Sequence, residues 1–292
     1  MVGLSHVGLR MLVRQYLPAG AQSLWPTEML NSRRLIAQRP GATPETLLGP
    51  GEDGLVPQIL GNEERFIAAS AEKLEKWGAV GIDMNMGCPV KKALKHNYGV
   101  SLMGDPGYAA DVVRMAVRNT SLPVSVKFRA GLQKDSDSLF RFAEGIQNAG
   151  ASWVCLHPRT AEQKRKGQAD WEQIRELKQH LSIPVIGNGD IQIADDALQM
   201  REETLCDGVM IGRALTVRPW MLWQIGEKLG LPAPEGKEGQ KAPRGPEEEA
   251  YAYGEAVLTF IDLCEHYFSE QQALKKVRFF LRVSHPWLNF GH

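Results

Sequence analysis

Residues 123–157, PVSVKFRAGLQKDSDSLFRFAEGIQNAGASWVCLH, decide the fold. PVSVKF is a short apolar run that carries a lysine near its end. Residues 135–148 then repeat apolar positions at helical spacing and stop at Gly150, and WVCLH is a second short apolar run that ends in histidine. Strand, helix and strand in that order make one crossover unit, the connection that joins parallel strands.

Outward from this unit the pattern repeats. Strand-like runs lie near 22, 55, 80, 123, 153, 183 and 208, with helical stretches at about 63–77, 106–119, 170–180, 193–200 and 219–229. Pro106 suits a first helical turn and Asp170 an N-cap. Polar residues stand where the runs end: Glu28, Gln58, Asn85, Lys127, His157, Asn188 and Arg213. In a (β/α)8 barrel the C-terminal strand ends build the active site. These positions therefore predict an α/β fold of TIM-barrel type rather than an open doubly wound sheet. An eighth strand, the first of the barrel, is largely missing; it is expected upstream of residue 1 or within residues 1–4. Residues 1–230 are read as the barrel and 231–248, rich in Pro, Gly and charge, as a linker. Residues 249–292 are read as a small all-helical domain with helices at 249–267 and 270–284.

Hydrophobic residues make up 43% of the 292 and charged residues 23%, which excludes wholesale disorder and a collagen-like chain. Lys plus Arg and Asp plus Glu are 34 each, so a uniformly basic nucleic-acid binder is excluded, although a local basic face is not. Cysteines 88, 155, 206 and 264 are too far apart for CxxC or a zinc knuckle, and reduced thiols in a cytoplasmic protein are expected. No apolar stretch reaches membrane-span length, and the first twenty residues lack the order of a signal peptide.

The sharpest chemical signal is Asp83-Met84-Asn85-Met86-Gly87-Cys88-Pro89. A strand ends, an amide follows, and a thiol sits in a turn framed by Gly and Pro, exposed over the barrel mouth; the plain alternative is a buried structural cysteine. Cys155, Cys206 and Cys264 lie in apolar surroundings and are read as core. Lys127 at the end of a buried strand calls for an anion or an electron-rich edge, because an unpaired charge there is costly. His157 is a proton donor or acceptor, or else a hydrogen-bonded structural histidine. The glycine turns at 186–191 and 209–213 have backbone amides suited to phosphate, with Arg213 as the positive partner. Neither turn is a Walker motif or GxGxxG, and no metal-ligand spacing is present. Basic groups at Arg33/Arg34, Lys91/Lys92/Lys95/His96 and Arg159/Lys164/Arg165/Lys166, together with the last helix, suit RNA contact; two of them follow the Cys88 and His157 strand ends.

In order along the chain stand TEM at 27–29, PQI at 57–59, IDMNMGCP at 82–89, SLMGDP at 101–106 and PVSVKFRAG at 123–131. They are followed by LHPRT at 156–160, GQADW at 167–171, IPVIGNGDI at 183–191 and DGVMIGRAL at 207–215. With these pieces the chain resembles the tRNA-dihydrouridine synthases, from Met1 to about Trp220 and more weakly in the helices after 249. The resemblance implies an FMN-binding barrel, a helical tRNA-binding domain, and reduction of the C5–C6 bond of a D-loop uridine. NADPH would reduce FMN, hydride would pass to C6, and Cys88 would give the proton to C5. The base has to leave its stack to react.

The same resemblance assigns Lys127 and His157 to the flavin ring, and Gln58 and Asn85 to the surroundings of flavin and substrate. Asn188, Gly189, Asp190, Gly212 and Arg213 fall at the cofactor, most of them at its phosphate, and Met1 falls beside the ring. Glu28, Arg159, Lys275 and Arg278 complete the expected substrate contacts. The helices after 249 look most like the bacterial branch that modifies D-loop position 16, and a monomer is the expected state. This chain departs from the family in its short first strand, which we read as a start lying upstream. It also has Pro158 where a glycine is usual, a lysine-rich loop at 91–100, and ALTVRPW after Arg213. Three rival readings carry different signatures. An FMN barrel acting on a free pyrimidine or dihydroorotate-like metabolite lacks the basic helical domain. A non-catalytic RNA-binding relative does not retain FMN. A sugar-phosphate isomerase has a paired glutamate base.

Overall fold

The computed structural model describes residues 1–90 and 95–288. Seven strands form one sheet in the order β1 to β7: Trp25–Asn31, Leu55–Leu60, Ile82–Met86, Val124–Arg129, Trp153–His157, Val185–Asn188 and Gly208–Met210. Every neighbouring pair is parallel. Helices α1 Val7–Arg14, α2 Ser32–Leu35, α3 Glu64–Trp77, α4 Pro106–Val117 and α5 Ser136–Asn148 are followed by α6 Trp171–His180, α7 Ala194–Thr204 and α8 Met221–Lys228. Two longer helices, α9 Gly245–Tyr267 and α10 Glu270–Ser284, end the helical series. Among the described residues no ladder joins β7 back to β1, so the sheet is an open half-barrel and not a closed barrel of eight strands.

The sheet is sandwiched between side chains on both faces, as parallel strands require. Ile82, Met84, Val126, Phe128, Val154 and Leu156 are fully or almost fully buried in a core they share with α3 to α7. Asp105 and Asp135 cap α4 and α5 through hydrogen bonds from the amides of Tyr108 and Ser138. Asp170 occupies the N-cap of α6 as expected but makes no capping hydrogen bond with its side chain.

The N-terminal region departs from the sequence expectation. Residues 1–4 form turns and no strand. The strand expected near 22 begins at Trp25, breaks register between Pro26 and Met29, and runs to Asn31. Pro26 cannot donate to a ladder, which places the irregularity there. Glu28, read as a strand end, is therefore inside β1.

Helix α1, which local pattern did not announce, belongs to a second core. Leu4, Val7 and Leu12 pack there with Trp220 and Trp223 near α8 and with Phe260, Cys264 and Phe280 of α9 and α10. Phe260 and Phe280 stack at 4.2 Å between ring centroids. Arg10 of α1 is 3% exposed and is made tolerable there by a two-point pair with Glu52, 2.7 and 2.9 Å, and by donation to the carbonyls of Ser5 and Leu47. The last two helices are thus docked on the rest of the chain, and α9 starts at Gly245, before the expected 249, with Pro246 in its first turn. Phe260→Leu keeps most of the volume but loses the stack, so chemical denaturation is expected to show a loss of about 1 kcal/mol.

Candidate active site

A cavity of about 330 Å³ opens at the C-terminal ends of the strands. Its polar wall is built on β2 and β3, where Gln58 stands beside Asp83 in register. Asp83 is buried and accepts 2.6 Å from Gln58 Nε2 and 2.7 Å from Ser125 Oγ, one donor on each oxygen. Burial pushes its carboxyl above the ordinary range, while these hydrogen bonds and the charge of Lys127 pull it back. Gln58 Oε1 in turn accepts from Asn85 Nδ2 at 2.7 Å, and Asn85 Oδ1 accepts from the amides of Gly87 and Cys88 at 3.2 and 3.0 Å. An acceptor-only carboxylate thereby sets the direction of every amide up to the backbone of Cys88.

The Cys88 turn is also held from outside. Arg129 Nε donates to the carbonyl of Gly87 at 3.0 Å, and its Nη1 reaches the carbonyls of Thr160 and Lys164. Gly99 lies at φ +58°, where a Cβ would stand 2.6 Å from the carbonyl oxygen of Cys88. Cys88 lines the cavity but is only 9% exposed as a residue, whereas the sequence reading expected an exposed thiol. Cys155, Cys206 and Cys264 are buried, as read.

Lys127, half-buried on β4, places Nζ 3.0 Å from Asn188 Oδ1, and Asn188 Nδ2 donates to the carbonyl of Met210 at 2.7 Å. His157 lines the same cavity, and its buried Nδ1 has no partner among the described residues. Burial, followed by the charges of Lys127, Arg129 and Arg159, brings its pKa from 6.5 to about 3. The imidazole is therefore neutral at physiological pH. A depressed folded pKa favours the neutral form, so this contribution to stability is full above 6.5 and is lost as pH falls toward 3. His157→Gln is expected to lose less stability than the parent between about pH 7 and about pH 4.5, read by denaturant unfolding at each pH.

At the other end of the cavity Gly189 sits at φ +121°, where a Cβ would come within 3.0 Å of Ala169 Cβ. Gly212, Arg213 and Met1 line this end, and a Cβ on Gly212 would lie 3.7 Å from Met1 Sδ. Asp190 lines it too, but one of its oxygens is engaged by Arg159 Nη2 at 2.7 Å and by the amide of Ala169 at 2.6 Å. Arg159 is itself buried and donates to the carbonyl of Gly167 at 2.5 Å, so it is held inside the fold.

The expected substrate residues thus divide. Asn85 is in the cavity. Glu28 is not among its lining residues; it is buried and accepts from the amide of Gly3 at 2.7 Å, with burial raising its pKa. Lys275 and Arg278 line a separate basic groove with Gly3, Lys276, Phe279 and Arg282. Lys95, His96, Lys164, Arg165 and Lys166 are exposed, whereas Lys91 and Lys92 lie outside the described residues. Sequence reading missed Asp83 and Arg129, whose signal was a charge within an apolar strand, and Trp287, which lines the cavity from beyond α10. Among the described residues no group of three or more His, Cys, Asp or Glu is placed to hold a metal, and no helix is long and apolar enough to cross a membrane.

The dihydrouridine synthase (Dus) family model matches residues 1–283. The chain belongs to this family. A probable tRNA-dihydrouridine synthase of Mycobacterium tuberculosis is 38% identical over 243 residues, covering 80% of this chain and 62% of the relative. Those of Rickettsia bellii and Rhodobacter capsulatus are 34% and 33% identical, covering 83% and 89% of this chain and 72% and 78% of theirs. The chain spans about three fifths of the length of the first of these relatives.

Proposed function

We propose that the protein is an FMN- and NADPH-dependent tRNA-dihydrouridine synthase that reduces the C5–C6 bond of a D-loop uridine, with position 16 as the target. The observation that carries this reading is the common cavity, which is lined by Cys88, Lys127, His157, Gly189 and Arg213 together. Family membership supports it independently.

The residues present fit a flavin mononucleotide. The unpartnered Nδ1 of His157 and the half-buried ammonium of Lys127 suit a ring with polar edges, and the glycines at 189 and 212 with Arg213 suit a phosphate. When bound, the reduced cofactor supplies hydride for C6 of the pyrimidine. Cys88, held by Asn85 and Arg129, supplies the proton for C5 from its thiol. Neutral His157 offers a hydrogen bond without adding a second cation beside Lys127. In this reading residues 1–230, with their open half-barrel sheet, hold the cofactor, 231–248 bridge, and 249–292 meet tRNA through Lys275, Arg278 and their neighbours.

Purified protein incubated with FMN, NADPH and tRNA lacking dihydrouridine is expected to convert uridine to a nucleoside two mass units heavier, read by digestion and mass spectrometry. A flavin-loaded protein that leaves every tRNA uridine unreduced would overturn the proposal.

A further inference from the structure

Helix α10 does not end the described fold; residues His285–Trp287 add one 3-10 turn that returns to the cavity. The turn is anchored at its root. Ser284 is fully buried, and its Oγ lies 2.6 Å from Tyr253 Oη of α9 and 3.1 Å from the carbonyl of Leu281. From that anchor Trp287 reaches Arg213, whose Cζ lies 4.6 Å from the centroid of the indole.

Arg213 is a cation with its donors unspent. It is half-buried, and among the described residues no hydrogen bond or ion pair is made by its guanidinium. Arg159 and Arg165 add positive charge around it, and the nearby carboxylate of Asp190 is already paired with Arg159. The arrangement leaves an excess of positive charge with free N–H groups at the cavity end. A carboxylate partner would fix Arg213 by consuming those groups. An indole holds the cation over its ring without accepting a conventional hydrogen bond, so the N–H groups are not consumed by a carboxylate and remain for an anion.

We propose that Trp287 is a positioning residue for the phosphate end of the flavin site, holding Arg213 toward the phosphate and closing that end of the cavity. This rests on the flavin reading above. It ties retention of the cofactor to the C-terminal helices, which are otherwise read as contacts for RNA.

The test titrates the apoprotein with FMN and, separately, with riboflavin, which has the ring but no phosphate. Trp287→Ala is expected to weaken FMN about tenfold while leaving riboflavin unchanged. Trp287→Phe is expected to keep most of the FMN affinity. In an Arg213→Ala background the tryptophan substitution should cause no further loss, since coupled residues are not additive. Unchanged FMN affinity in Trp287→Ala overturns the proposal. So does an equal loss of both flavins, which would make Trp287 a general wall of the pocket. A parent protein that binds neither flavin overturns the functional reading itself, a result distinct from both; unchanged riboflavin binding in the variant shows that its cavity is intact.

Discussion

Cys88→Ala is expected to retain FMN and to lose dihydrouridine formation by about a hundredfold to ten-thousandfold, the range of a positioned proton donor. The thiol lines the cavity, and the turn that carries it is fixed by three kinds of contact: Asn85 on its amides, Arg129 on the carbonyl of Gly87, and the absence of a side chain at Gly99. Alanine keeps the backbone and removes only the sulfur, so nothing that fits the cofactor changes. The comparison is single-turnover reduction of tRNA uridine by parent and variant, both carrying flavin as judged by absorbance. An unchanged rate would remove Cys88 from the chemistry and return it to the plain role of a small core residue.

The second large effect belongs to Asp83. Asp83→Ala leaves the Gln58 amide and the Ser125 hydroxyl, both buried, without their acceptor. At 1–3 kcal/mol for each stranded group, the expected loss of stability is about 3 kcal/mol, a large part of an ordinary domain's total. Asp83→Asn separates size from polarity. Asparagine fits the space but keeps only one acceptor oxygen; with that oxygen toward Gln58, the Ser125 hydroxyl turns round to accept from the new amide, and the neutral oxygen holds Gln58, and through it Asn85, less strongly than a carboxylate does. This variant is expected to fold, with the smaller loss in denaturation, and to reduce turnover because the Cys88 turn is less well held. Full activity in a stable Asp83→Asn protein would show that the carboxylate serves packing alone.

The two predictions differ in how far sequence could have led to them. Cys88, Lys127 and His157 were readable because a parallel strand buried on both faces is an apolar run, and a polar residue at its end stands out. The seven strands followed from the same contrast. β1 was displaced because Pro26 and the register break blur its pattern, and Glu28 followed it into the wrong role. Asp83 was passed over because nothing local says that a strand acid will find two donors on different strands. Helix α1 is short, and the faces that bury it lie on α8, α9 and α10, beyond the whole sheet in sequence. Trp287 was illegible for the same reason: its meaning is Arg213, brought to it only by the docking of α10.

The shared core of α1 with α9 and α10 also orders events during synthesis. Leu4, Val7 and Leu12 leave the ribosome early, and Phe260 and Phe280 leave near the end. At about 5–20 residues per second, the nascent chain carries that apolar face uncovered for roughly 15–50 s while the whole sheet is made. A ribosome that stalls after the sheet is complete releases a polypeptide with its strands paired and its first helix still unclaimed.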